Sequence, residues 1–353
     1  MTTVNNEHAA KHDPDYTRQV RDIQRRPLPV LDLGPLLAGD SAGIDGLARQ
    51  LREVAEGLGF MCLVNHGVPA ELTDAMFDRS REFFALPLDD KLALEIDPHE
   101  RGYQPLRMTV VRESRYYERP QNDFYESYNF GVDYADDNPN VIARKRMFGR
   151  NRWPASAPEL PGVAMRYLDR MGALATSFLP VWSRALEVPD DFFAPYFSRA
   201  HFYTRMIHYP VKPGLATDDT GHGAHSDTGF NTFLPAAAEP GLQVMDTDGS
   251  WILPDLPADS IIVNFGQYLE RWSNGLVRAT PHRVIPPVEN DRYSLAFFVC
   301  PNLDAVGECL PSCQAPDNPA KYDPESFWQF HTGYMSRVYP HFEERWENEQ
   351  PPA

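Results

Sequence analysis

Cysteine is scarce in this chain: four in 353 residues, at Cys62, Cys300, Cys309 and Cys313. That excludes a small scaffold stapled by disulfides, which needs many paired thiols in a short sequence. Cys309 and Cys313 have the look of half a metal site. A zinc site requires a second ligand pair nearby, and none is present, so both read as loop thiols. Long apolar runs are missing as well. Residues 2–26 are polar, without the apolar core of a secretory leader, and no stretch reaches the ~20 residues of a transmembrane helix. The expected setting is therefore a reducing cytoplasm, without membrane association. Basic residues are outnumbered, 33 Lys and Arg against 50 Asp and Glu, for a formal charge of −17. Nucleic acid and anionic membrane both demand a positive surface, so neither is an expected partner. Internal repeats and low-complexity tracts are absent too. Nothing in the sequence specifies an oligomeric state.

What is present suffices for a sizeable core, with 42% hydrophobic and 24% charged residues. Residues 1–26 read as a mobile polar tail. Residues 27–155 form an N-terminal region, opening on the extended run Leu28–Leu33. Ile44, Leu47, Ala48, Leu51, Val54, Ala55 and Leu58 follow helical spacing up to Gly57 and Gly59. Phe60–Val64 is a buried-strand pattern, and helices are expected near 69–84 and after Pro87. Regularity fades from Glu100 to Pro154, as in a substrate-binding loop. Residues 156–353 begin with a long helix, 158–186, expected to kink at Pro180. Short apolar or alternating runs follow at 202–209, 241–245, 250–253, 260–265, 277–284 and 292–300. Turn residues separate them, the pattern of a β sandwich or barrel. A last helix is expected near 324–339. The fold class is mainly β with helical additions, and one body rather than two independent domains.

Three residues carry the chemistry. In Gly221-His222-Gly223-Ala224-His225-Ser226-Asp227, His225 and Asp227 stand two apart, so an extended chain projects both to one face. Downstream, Ala279-Thr280-Pro281-His282-Arg283-Val284 supplies a second imidazole on another extended run. Two His and one carboxylate, without thiolate, are the ligand set of non-haem iron(II) sites with open positions. Taken alone, His225 and Asp227 could equally be a hydrogen-bonded loop pair. His222, three before His225, is expected on the opposite face. His208 should face away from Tyr209, and His66, His201 and His331 read as structural or surface residues.

A second constellation is Asp291-Arg292-Tyr293-Ser294-Leu295-Ala296-Phe297-Phe298. Arg292, Ser294, Ala296 and Phe298 share one strand face. A guanidinium and a hydroxyl pointing inward would grip a carboxylate, the guanidinium in bidentate fashion. The alternative is an Arg at a strand end in a surface salt bridge.

Together these residues resemble the iron(II)/2-oxoglutarate-dependent dioxygenases of the isopenicillin N synthase-like family. The likeness runs through Pro27–Leu33 and Gly59–Val68. It continues in order through Gly241–Val244, Gly249–Ile252, Val263–Gly266, Trp272–Gly275, Thr280–Val284 and Arg292–Ser294. The resemblance implies a double-stranded β-helix (jelly-roll) core with N-terminal helices and a C-terminal lid helix. It implies Fe(II) held by His225, Asp227 and His282. It implies 2-oxoglutarate held at its distal carboxylate by Arg292, Ser294 and Tyr209, with O₂ as oxidant. The implied reaction is hydroxylation, desaturation or ring closure of a small molecule, releasing succinate and CO₂, in specialised-metabolite biosynthesis. Phe298 falls where the family places an aromatic ring against substrate. Tyr103, Arg107, Phe124 and Asn231 are further candidates for the substrate pocket. Arg107, Arg112 and Arg115 form a basic cluster that either meets an anionic substrate or pairs with nearby Glu113, Glu118 and Asp123. Departures from the family pattern are Ile207 where Asn is frequent, the polar Asn231, and Pro235-Ala236-Ala237-Ala238. Two alternatives stay open. One is an iron(II) oxidase of the same fold that does not consume 2-oxoglutarate, as in isopenicillin N synthase or aminocyclopropane-carboxylate oxidase. The other is a non-catalytic jelly-roll binding or sensor module.

Overall fold

A computed structural model of the chain describes residues 23–108, 110–111, 121–211 and 220–338. Its strands, in chain order, are β1 (Arg25–Pro27), β2 (Val30–Asp32), β3 (Phe60–Val64), β4 (Gly102–Gln104), β5 (Val110–Val111), β6 (Gln121–Asn122), β7 (Glu126–Gly131), β8 (His201–Tyr209), β9 (His222–His225), β10 (Asn231–Pro235), β11 (Leu242–Met245), β12 (Trp251–Asp255), β13 (Ile261–Phe265), β14 (His282–Val284), β15 (Arg292–Cys300), β16 (Val306–Gly307) and β17 (Glu325–Ser326). Eight of them form a major sheet in the order β2-β3-β13-β10-β15-β8-β7-β4. Five form a minor sheet, β1-β12-β11-β14-β9. The two sheets are the halves of a jelly roll, and residues of both line one central cavity.

Helices cover the outside of the major sheet. In Ser41–Glu56, Asp40 caps the N-terminus by accepting from the Ala42 N–H, and Leu47, Ala48, Leu51, Val54 and Ala55 are buried along one stripe. The expected kinked helix is two helices, Leu160–Ser177 and Leu179–Ala185, meeting at Phe178. Pro180 sits in the first turn of the second, where its missing N–H costs nothing. Trp182 from that helix packs edge-on against Phe230 and Phe265, joining the helical layer to the barrel. The last helix runs Phe327–Val338 and reaches the cavity through His331, Tyr334 and Met335.

Three expectations change. The polar tail does not extend to residue 26: Arg25–Pro27 pairs in parallel with β12, helped by an Arg25–Asp255 contact of 3.3 Å. Three residues on an edge strand are held by backbone pairing, which leaves no mark in the hydropathy pattern. Residues 1–22 lie outside the described residues. The stretch 100–154 is more regular than expected, because β4 and β7 extend the major sheet. Every residue of β7 is buried: Tyr128 and Phe130 pack in the core while Ser127, Asn129 and Gly131 pair with the cavity-lining positions of β8. Conversely, the run 277–284 is strand only at His282–Val284, since Pro281 has no N–H to offer a ladder.

Gly59 ties the N-terminal region to the site. Its φ is +69°, and a Cβ there would lie 2.4 Å from Thr280 Oγ1 and 2.6 Å from the Arg278 carbonyl oxygen. Thr280 Oγ1 donates to the Leu58 carbonyl at 2.6 Å, two residues before His282. Gly59→Ala therefore has to displace the segment that carries His282. A loss of about 2 kcal/mol or more in urea denaturation is expected, from strain and overpacking together.

Behind β7 and β8 lies a buried charge cluster. Glu126 accepts from Lys91 Nζ at 2.8 Å and pairs with His208 Nδ1 at 2.7 Å, and His208 Nε2 reaches Asp291 at 3.0 Å. Burial raises the Glu126 carboxyl, but bonds from His208, Lys91 and Tyr103 outweigh it and hold it below its ordinary 4.5. The stability Glu126 contributes is therefore present above that value and lost as pH falls through the lower folded-state value. Lys91→Met should cost about 3 kcal/mol near neutral pH, because it strands a buried carboxylate. The cost should shrink in acid, as that carboxylate takes a proton. Denaturant titrations of both proteins across pH check this.

Candidate active site

β9 and β14 bring the candidate metal ligands together by direct pairing. His282 stands opposite His225, and Val284 stands opposite His222. Two steps along β14 thus match three along β9, which is a β-bulge. The extra residue shifts the alternation of side chains. His222 consequently lies on the same side as His225, with their rings stacked at 3.9 Å, and it lines the cavity. The expected opposite-face placement of His222 fails for this reason.

Asp227 follows β9. Its Oδ1 lies 3.6 Å from His225 Nε2 and 3.8 Å from His282 Nε2, and one ligand atom from each of the three falls within 4.8 Å of the others. Each remaining atom is already engaged. His225 Nδ1 bonds the Gly223 carbonyl at 2.8 Å, and His282 Nδ1 the Thr280 carbonyl at 3.2 Å. Asp227 Oδ2 accepts from Thr232 Oγ1 at 2.5 Å and Asn264 Nδ2 at 2.7 Å. Two Nε2 atoms and one carboxylate oxygen are left converging, with their orientation fixed from behind, as metal ligands require. Burial, reinforced by His282, pushes the His225 imidazole down to about 4, which keeps it neutral at neutral pH. Asp227 is held low despite its burial, by His282, His225 and its two hydrogen bonds. A neutral imidazole beside an ionised carboxylate suits a divalent cation. Two imidazoles with one carboxylate fit iron(II) and leave coordination positions open.

The second constellation assembles on the adjoining sheet. β8 and β15 pair over nine residues, with Arg292 opposite Tyr209, Ser294 opposite Ile207, Ala296 opposite Arg205 and Phe298 opposite Tyr203. All eight line the cavity. Arg292 is 3% exposed, and its Nε and Nη1 have no acceptor among the described residues. Burial lowers its basicity, while the Tyr209 hydroxyl, which accepts from the guanidinium, works against that. Its guanidinium carbon also lies 5.0 Å from the Tyr209 ring centroid. A buried cation with two idle donors calls for an anion, and a carboxylate matches that fork. The residues therefore fit the distal carboxylate of 2-oxoglutarate. Ile207 joins Tyr125, Tyr209 and Val284 in a small apolar cluster beside this end.

The other candidates scatter. Phe298 lines the cavity and stacks on Tyr203 at 4.5 Å. Tyr103 does not, because its hydroxyl is committed to Glu126 and its ring packs on Phe83. Asn231 points to the opposite side of β10, where its amide meets Trp182 Nε1 and the Phe230 carbonyl, while its neighbour Thr232 faces the cavity. Phe124 and Arg107 lie off the cavity and against each other, at 5.5 Å. Arg112 and Arg115 are outside the described residues. His208 faces away from Tyr209, as expected. His201 is buried against Tyr134. His331 is buried rather than on the surface, bonding Thr228 and Glu100 at the cavity wall. Sequence reasoning missed Arg205, Glu100, Thr232 and Asn264. Arg205 was within reach, because Tyr203, Arg205, Ile207 and Tyr209 share one strand face.

A site that pairs a two-His, one-carboxylate iron set with a buried carboxylate clamp inside a jelly roll defines an oxygenase that uses a 2-oxo acid. The comparisons agree. Residues 28–156 match the model for the non-haem dioxygenase in morphine synthesis N-terminal region, and residues 200–301 match the 2OG-Fe(II) oxygenase superfamily. The chain is 33% identical over 304 residues to the 2-oxoglutarate-Fe(II) type oxidoreductase hxnY of Emericella nidulans, covering 84% of this chain and 86% of that one. It is 35% identical over 287 residues to kihadalactone A synthase LFS of Citrus sinensis, covering 78% and 83%. Among solved structures, a full-length Neurospora crassa protein in complex with alpha-KG superposes with a TM-score of 0.75 at 25% identity, covering 88% of this chain and 96% of that one. The chain belongs to the 2-oxoglutarate- and Fe(II)-dependent oxygenases. Iron(II) is its metal and 2-oxoglutarate its co-substrate.

The bonds behind Asp227 should matter to metal binding. Asn264→Ala and Thr232→Val should each weaken iron(II) binding by about 10–100-fold. Anaerobic metal titration measures this, with the melting temperature of the metal-free protein as control.

Proposed function

We propose that this enzyme oxidises a small organic molecule, by hydroxylation or by a desaturation or ring closure that uses the same site, in specialised-metabolite biosynthesis. The observation that carries the reading is the buried guanidinium of Arg292, with two idle donors, in the cavity that holds the His225, Asp227 and His282 cluster. His225, Asp227 and His282 would hold the iron, and Arg292, Ser294 and Tyr209 the distal carboxylate of the co-substrate. Bound together, iron(II) and 2-oxoglutarate supply the oxidation: substrate, O₂ and 2-oxoglutarate become hydroxylated substrate, succinate and CO₂.

The protein's own residues do the positioning. Arg292 and Ser294 anchor one end of the co-substrate, so its reactive end is presented toward the triad without freedom to swing. Thr232 and Asn264 hold Asp227 with one oxygen forward. Phe298, Tyr203 and Met335 make the cavity partly apolar, which limits water beside reactive species. The relatives' names support a small-molecule substrate: the Neurospora crassa protein is described with thymine, and the Citrus protein is a kihadalactone A synthase. All four cysteines are free, which supports a reducing cytoplasmic location. Among the described residues no helix is long and apolar enough to cross a membrane.

Anaerobic addition of 2-oxoglutarate to the iron(II) protein should produce a metal-to-ligand charge-transfer absorption band, lost in Asp227→Ala. Arg292→Leu should raise the dissociation constant for 2-oxoglutarate by roughly 100-fold, while iron(II) still binds. Succinate should form in step with oxidised product. Turnover in the absence of 2-oxoglutarate would sink the reading.

A further inference from the structure

The cavity has a second charged end. β8 and β15 run from the Arg292–Tyr209 rung to the Phe298–Tyr203 rung, six residues or about 20 Å along the strands. Glu100 lines the cavity at the Phe298–Tyr203 end, and its charge is felt by Tyr203, Cys300 and His201. It is 4% exposed. His331 of the last helix bonds its Oε2 at 3.1 Å and Thr228, next to Asp227, at 2.9 Å. Oε1 has no hydrogen-bond donor among the described residues, and the nearest charge, Arg146 Nη2, stands 3.5 Å away.

Glu100 also occupies a backbone position that does not favour it. Its φ is +61°, in the left-handed region, at the end of a turn where its N–H bonds the Asp97 carbonyl. Glycine or asparagine would sit there with less strain. The carboxyl is raised by burial, but His331 and Arg146 overcome this and hold it at about 2, so it is an anion throughout the working range.

We infer that Glu100, oriented by His331, is the specificity-determining acceptor for an N–H group of the substrate. The substrate class is a small nitrogen-bearing molecule, an amide, lactam or N-heterocycle, that donates a hydrogen bond to Glu100 Oε1. Arg146 and His331 already face the carboxylate, so it needs a hydrogen-bond donor more than a further full positive charge. The stacked Tyr203 and Phe298 rings offer a flat surface beside it. The last helix carries His331, Tyr334 and Met335 to the same end, so it both orients the acceptor and covers the bound molecule.

The inference rests on the 2-oxoglutarate oxygenase reading, and the test separates the two. The full-length iron(II) protein with 2-oxoglutarate is titrated anaerobically with amides, lactams and N-heterocycles, each beside its N-methylated counterpart, and with nitrogen-free terpenoids and carboxylic acids. Binding is read from the charge-transfer band and by calorimetry. N–H compounds should bind, and N-methylation should weaken them at least about tenfold. In Glu100→Gln that gap should close to within about threefold, since the acceptor loses its charge, while 2-oxoglutarate binds as before. Should Glu100→Gln not fold, the methylation series on the wild-type protein decides. Binding confined to nitrogen-free compounds, no binding of any N–H compound, or a methylation gap unchanged in Glu100→Gln overturns the inference. Absence of the band with 2-oxoglutarate alone overturns the oxygenase reading as well.

Discussion

The nine-residue ladder between β8 and β15 is the constraint on which the site depends. Because side chains alternate along a strand, fixing Arg292 opposite Tyr209 also fixes Ser294, Ala296 and Phe298 on the same wall as Ile207, Arg205 and Tyr203. One register therefore sets the carboxylate clamp, the middle of the cavity and its aromatic end. A slip of either strand by one residue would turn its four side chains out of the cavity and into the packing behind the sheet. The Glu126 cluster on the reverse side opposes such a slip, since His208 of β8 must stay in reach of both Glu126 and Asp291.

The minor sheet carries the two histidines of the candidate metal cluster, and its position is set from elsewhere in the chain. Thr280 bonds Leu58, Gly59 admits Thr280, and β3 continues from there into the major sheet. The loop after β9 is held by Gln267, whose N–H bonds the Asp227 carbonyl at 2.7 Å and whose amide bonds Ser226. Asn264 of β13 reaches the Asp227 side chain. Thr232 and Asn264, both of the major sheet, thus fix a carboxylate that follows a strand of the minor sheet, which holds Asp227 in place beside the two imidazoles.

Much of this was legible in the sequence. The triad and the Arg292–Ser294 pair follow from period-two spacing together with an ordered set of motifs. The helices of the front half follow from 3.6-residue spacing. Other features left no trace because their cause is tertiary. β7 is buried on both faces, and its short polar-aromatic alternation lies within a stretch of Tyr, Arg, Asn and Asp that hides it. His222 faces the cavity only because a bulge changes parity, and a bulge appears in the pairing rather than in residue identities. Tyr103 looked like a pocket residue because it lies in an irregular aromatic segment, yet its hydroxyl is needed by a buried carboxylate 23 positions on. Glu100 and His331 are 231 residues apart, and no local pattern couples them.

The bulge in β9 also bears on how this enzyme could change over time. Between His222 and His225 the chain has one residue more than its partner strand needs, and both imidazoles share a face because of it. At this point segment length, rather than residue identity, decides which face His222 presents. Removing a single residue between them would restore regular pairing and still leave both imidazoles on one face, now two residues apart. Substitutions that straighten the bulge at the present length would instead turn His222 away from the cavity.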